Sequence, residues 1–379
     1  METRKYYLDW LRVIAFALLI CFHAGLLYSP WHYNLKSPRL IPGIEQALLI
    51  FSVWRMPLLF MISGVASAFL ISKLGAGGLA WDRIRRLQPV ILFGMLVVIP
   101  PQVWIELVSK GVTEDSYPHF WWFSYLAADQ TLAAPLGKTF PTWDHLWFLV
   151  YLQVYLLVFA AVVGLARLSR MLPTKAPPIP LPLLLIGPAL WLAGANLFID
   201  LGHPLTHTLV GDWGGHLKWT GLFAAGVACA HQPGFWATLR DHRWRFAVVA
   251  AVLLGVQFLS DGLVWSAISG LYGWAAICTV CGFAYRYLNR PSALLAHLNE
   301  AVLPIYVLHQ PILLLAAYWV FPLKLALPVE AAVLVAITGL GSLAIYELAI
   351  RPFGVTRFLF GLKAKAPASR GSVIVDLGA

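Results

Sequence analysis

The chain has 379 residues, 60% of them hydrophobic and 12% charged, with a mean hydropathy of +0.75. Soluble domains carry about twice that charge, so the composition excludes a soluble globular protein and indicates an all-α, polytopic integral membrane protein. The net charge of +10 maps onto loops and reads as topogenic rather than as a nucleic-acid footprint.

Apolar runs long enough to span a bilayer, about 17–25 residues each, lie near 8–28, 46–72, 88–109, 144–166, 183–201, 216–231, 244–260, 264–287, 300–320 and 327–350. They predict about ten transmembrane helices. The first follows METRKYY without a small-residue cleavage site and is read as a retained helix. With the N-terminus cytoplasmic, nineteen of the 27 Lys and Arg fall in inside segments and five in outside ones, which predicts both termini inside. The segment 73–87, KLGAGGLAWDRIRRL, is expected to be a short, basic inside loop. The outside loop 110–143 carries PHFWWFSYLAAD, whose aromatics suit a membrane-interface belt better than a sugar-stacking surface. Residues 1–363 are read as one transmembrane domain and 364–379 as a disordered cytoplasmic tail.

The first helix, LDWLRVIAFALLICFHAGLLY, holds an arginine and a histidine in a stretch that should carry neither. Arg12 and His23 are eleven residues apart, about three turns, so both lie on one face and roughly 16 Å apart along the axis. Ionisable groups in hydrocarbon are costly and mark functional paths by default. A neutral imidazole accepts a hydroxyl proton near physiological pH, which makes His23 a candidate general base. Its bland alternative is a hydrogen-bonded packing histidine. Arg12 reads either as a snorkelling side chain paired with Asp9 or as a guanidinium facing phosphates of a donor.

Further along, Glu45 stands at the mouth of the second span, where it either orients a histidine or faces water. Arg55 lies within that span, and Pro57 beside it frees carbonyls of the kind that line cavities. Arg83, Arg85 and Arg86 precede the third span, either as topogenic charge or as a bidentate phosphate-binding mouth. Asp144 and His145 open the fourth span, and His309 and Gln310 sit mid-span in the ninth. Glu347 is expected to pair with a loop arginine. Cys21, Cys229, Cys278 and Cys281 all fall in apolar runs, and the CxxC at 278–281 lacks nearby partner ligands. Neither a metal nor a disulfide is expected.

An arginine followed after ten intervening residues by a histidine in the first helix resembles the membrane acyltransferase-3 family. RMPLLFMISG, the arginine cluster, HLWFL, IYVLHQPI and YELAIRP follow in the same order along nearly the whole chain. FHAGLLYS, WRMPLLFMISG and RFLFGLK are most similar to its branch that succinylates osmoregulated periplasmic glucans. The resemblance implies a ten-helix enzyme of the bacterial inner membrane. It would move an acyl group, succinyl by preference or acetyl, from cytoplasmic acyl-coenzyme A to hydroxyls of a periplasmic glucan. His23 then takes the role of the catalytic histidine; Asp144 and His145, placed in the same outer half by the reading of the residues, are expected to join it in catalysis. Arg12, Arg83, Arg85 and Arg86 bind acyl-coenzyme A, and Arg55, His309 and Glu45 position the acyl group or acceptor. An O-acetyltransferase of another exported polysaccharide is the nearest alternative. A secondary transporter is the rival from another class, and a non-catalytic scaffold has no use for Arg12 and His23 on one face.

Overall fold

A computed structural model of the chain describes residues 5–169 and 177–364. Among them every regular element is helical. In chain order these are α1 (Tyr6–Leu26), α2 (Ile44–Phe93), α3 (Pro100–Ser109), α4 (Tyr117–His119), α5 (Gln130–Ala133), α6 (Trp147–Leu168) and α7 (Leu181–Asp200). There follow α8 (Trp213–Ala230), α9 (Pro233–Asp241), α10 (Arg243–Phe258), α11 (Gly262–Tyr287), α12 (Ala293–Val320), α13 (Leu327–Ile345) and α14 (Gly354–Leu359). The tail expected from 364 onward lies outside the described residues beyond Ala364, as do Arg4, Arg170, Lys175, Lys365 and Arg370.

All ten apolar stretches are helical, and among the described residues seven helices are long and apolar enough to cross a membrane. The smaller number has plain causes. The second and third stretches belong to one 66-residue helical run, Ile44–Ser109. α8 begins with the polar turn WGGHLK, and α10 has only 16 residues. The long run would measure roughly 99 Å if straight, several times the hydrocarbon core. It is broken at Gly75, whose φ of 72° and ψ of 177° leave the helical region; only glycine adopts that conformation freely. The expected loop at 73–87 is therefore helix apart from Gly75, and its three arginines project from a helical surface. Helical structure continues through Pro57 without such a break.

Close packing depends on glycine where α2 meets α8. A Cβ on Gly64 would lie 2.0 Å from the Phe223 carbonyl oxygen, and one on Gly226 would lie 2.0 Å from that of Met61. Two backbones in such contact gain dispersion energy that replaces the hydrophobic driving force missing in lipid. α1 packs against α2, α11, α12 and α13, which leaves Asp9, Arg12 and His23 half-buried. The aromatic loop forms α4 and a π-helical turn, Phe120–Tyr125. Phe120 and Tyr125 are buried, whereas Trp122 and Phe123 are 58% and 70% exposed. Any belt thus rests mainly on those two side chains, with Trp121 half-buried beside them. Glu347 pairs with Arg351 at 2.9 Å as expected, and with His297 at 2.7 Å. Cys229, Cys278 and Cys281 are buried, and among the described residues no group of three His, Cys, Asp or Glu could hold a metal ion.

Candidate active site

The 3.6-residue repeat puts Arg12, Phe16, Leu19 and His23 on one stripe of α1. At the Arg12 end, a cavity of about 430 Å³ is lined by Arg12, Arg83, Arg86, Asn299 and Lys363, with Ser63 and Ser67. Arg12 Nη1 donates to Asp9 Oδ1 at 3.3 Å and to Asn299 Oδ1 at 3.1 Å. Arg83 pairs with Asp82 at 3.6 Å, and Arg86 Nε donates to the Gly361 carbonyl at 3.4 Å. Three residues apart, Arg83 and Arg86 share a helix face. Arg85 does not share it, is exposed, and does not line the cavity. The result is a cationic pocket of small-molecule size.

At the His23 end, a second cavity of about 480 Å³ is lined by His23, Arg55, Asn196, Asp200, His207 and Lys218 on its polar side. Arg55 is 2% exposed, its guanidinium sits 4.3 Å from the Phe22 ring centroid, and its Nε and Nη1 have no hydrogen-bond partner among the described residues. His23 Nδ1 is hydrogen-bonded to the Tyr33 hydroxyl at 3.0 Å. Tyr33 belongs to the segment between α1 and α2. Burial first, then Asp144 and Glu106, push its pKa well above the ordinary tyrosine value, so it remains a neutral phenol.

Behind His23 stand two further imidazoles. The His309 ring is 5.1 Å from that of His23, and the His145 ring is 5.4 Å from that of His309. His145 Nε2 bonds the Val307 carbonyl at 3.0 Å, and His309 Nδ1 bonds that of Tyr306 at 2.6 Å. A carbonyl only accepts, so both ring nitrogens donate. Each neutral ring keeps one acceptor nitrogen, His145 Nδ1 and His309 Nε2, and neither has a partner among the described residues.

The two cavities share no lining residue, yet neighbouring residues on three helices face opposite ones. Phe16, Leu59 and Phe148 line the first, while Leu19, Met56 and Trp147 line the second. Fully buried Phe60 fills the layer between them, edge-on to Phe148 at 4.9 Å and stacked on Trp219 at 5.2 Å.

Residues 5–347 match the acyltransferase domain of the acyltransferase-3 family. The chain belongs to that family. This membrane acyltransferase is 26% identical to proteins named glucans biosynthesis protein C from Escherichia coli O139:H28 (strain E24377A / ETEC) and Shigella dysenteriae serotype 1 (strain Sd197). Each match extends over 342 residues and covers 84% of this chain and of the relative. No solved structure matches the acyltransferase.

The structure thus gathers Arg12, Arg83 and Arg86 at one cavity, and His23 and Arg55 at another, with His309 edge-on to His23 and His145 edge-on to His309 behind it. It leaves three expected site residues elsewhere. Arg85 points away. Among the described residues Glu45 makes no hydrogen bond or ion pair to a histidine, and its Oε2 is buried without a partner. Asp144 is next to His145 in sequence, but its carboxylate turns to Lys138 at 2.7 Å and Asn34 at 3.2 Å; its φ of 35° sends the chain through a sharp bend there. Tyr33, Asn34, Asn299 and Lys138 were invisible to sequence reasoning because they are ordinary polar residues. Glu106 did carry a signal, as a carboxylate inside an apolar run.

Proposed function

We propose that this acyltransferase spans the inner membrane with ten helices and both termini in the cytoplasm. It moves an acyl group, succinyl by preference, from cytoplasmic acyl-coenzyme A to a hydroxyl of a periplasmic glucan. The observation that carries this reading is the pair of cavities at opposite ends of one stripe on α1, cationic at Arg12 and histidine-bearing at His23. Arg12, Arg83 and Arg86 would hold the donor's phosphates, since guanidinium groups bind phosphate bidentately. The pantetheine arm would follow α1 over roughly 16 Å and part the aromatic layer at Phe16 and Leu19.

In the transfer step, His23 takes the proton of the glucan hydroxyl as its oxygen attacks the thioester carbonyl. The C–S bond breaks, an ester forms, and the thiolate leaves with the proton from His23. For this the Nε2 of His23 must be the acceptor, which follows when its Nδ1–H donates to the Tyr33 oxygen. Arg55, a buried cation with two unused donors, would receive the free carboxylate of a succinyl group. The glucan acceptor is suggested by the relatives' printed name.

Purified protein incubated with radiolabelled succinyl- or acetyl-coenzyme A and a β-glucan tests this directly. Label on the glucan supports the reading. Label retained on another polysaccharide alone changes the acceptor, and uptake into proteoliposomes without covalent transfer would mark a transporter instead.

A further inference from the structure

Lys138, in the loop that follows α5, sits between two carboxylates. Its Nζ donates to Glu106 Oε2 at 2.5 Å and to Asp144 Oδ2 at 2.7 Å. Glu106 is fully buried, and its other oxygen accepts from Lys110 at 2.7 Å. Asn34 Nδ2 donates to the same two oxygens, at 2.7 Å to Glu106 and 3.2 Å to Asp144. Asn34 Oδ1 in turn accepts from Gln310 Nε2 at 3.5 Å. Two ammonium groups and two carboxylates balance. Taking either cation away would leave a buried charge uncompensated, the costly case for an interior ion pair.

The sequence neighbours of these residues are the groups of the histidine cluster. Asn34 follows Tyr33, which bonds His23; Asp144 precedes His145; Gln310 follows His309. One buried polar network therefore holds, by their next-door residues, three separate stretches of chain that present the imidazoles and the phenol. The ends of the Tyr33 segment are fixed otherwise. Lys36 donates to the Leu26 carbonyl at 2.7 Å and to that of Ser29, while Tyr28 and Arg39 both bond Glu330 on α13. Its middle is tied down through Asn34.

We propose that Lys138 is a positioning residue for the histidine cluster: by clamping Glu106, Asp144 and Asn34 together it fixes where Tyr33 meets His23. The proposal rests on the reading of His23 as the base, so its test has an arm that needs no acyl transfer. In Lys138→Met the turnover rate should fall about 10²-fold, the scale of an ångström's misplacement of a catalytic group, while the KM for acyl-coenzyme A stays near wild type. Lys138→Arg should restore most of the rate. So should adding Asp144→Asn to Lys138→Met, because Glu106 keeps Lys110 and Asp144 is the carboxylate left without a cation.

The independent arm is the nitrogen NMR spectrum of histidine-labelled protein, with the His23 signals assigned through His23→Gln. Those signals should move in Lys138→Met and return in Lys138→Arg. Signals of His23 that do not move in Lys138→Met overturn the proposal whatever the rates. Equal losses of turnover, donor binding and melting temperature, unrescued by either companion variant, also overturn it, as a general stabilising role. Absent transfer in the wild type with a shifted His23 signal refutes the acyltransfer reading and leaves the positioning role standing.

Discussion

His23 and Arg12 occupy opposite ends of one stripe, so their substitutions should separate chemistry from binding. His23→Ala is expected to slow transfer by about 10²–10⁴-fold, the range for loss of a positioned base, with acyl-coenzyme A binding near normal by calorimetry. Arg12→Ala should weaken donor binding instead, by losing a charge-assisted contact, and high donor concentration should restore part of its rate. A His23→Ala protein that transfers at near wild-type rate would sink the mechanism. Arg55→Ala, compared with both donors in the same assay, should cost succinyl transfer far more than acetyl transfer, because only succinyl offers a carboxylate to the buried guanidinium. Equal losses would remove Arg55 as the selector. These three residues were legible in the sequence because a charge or imidazole stands out in an apolar run. Tyr33 and Asn34 were not, since nothing in a polar loop says that it folds onto a histidine ten residues back and carboxylates 72 and 110 residues on.

At the scale of elements, apolar length located the helices but not how they join. Gly75 interrupts a helical run that glycine content and arginines had marked as a loop; a single left-handed residue breaks a helix without ending it. The α2–α8 contact was equally hidden, because glycine in an apolar segment does not name its partner. Gly226→Ala is expected to push a methyl group into the Met61 carbonyl, which backbone cannot yield cheaply. Overpacking costs about 1–3 kcal/mol, and a clash with backbone falls at the upper end. The variant should therefore lose several degrees of melting temperature and elute less monodisperse in detergent. Gly255→Ala on α10, where a Cβ would meet nothing within 4 Å, is the matched control and should behave as wild type. A Gly226→Ala protein as stable as that control would show that the α2–α8 spacing has slack.

For the whole molecule, the layer of Phe16, Leu19, Phe60, Trp147 and Phe148 has a bearing on the cell's energy supply. On the proposed topology the two cavities open toward opposite faces of an energised membrane, and the ionisable side chains at each would make any water path between them a proton leak. The layer would then act as an insulating septum between them: its five side chains carry one polar atom, the Trp147 indole nitrogen. On that basis a protein at rest should dissipate no gradient. Proteoliposomes loaded with a pH-sensitive dye should hold an imposed proton gradient as long with the wild-type protein as without it. Phe60→Ala, which opens a void in the middle of the septum, should shorten that time, and a Phe60→Ala protein as tight as the wild type would show that the seal lies elsewhere. On the proposed donor path, the thickness of that layer is under two opposed demands, thin enough for a thioester arm to part and dense enough to keep protons from following it.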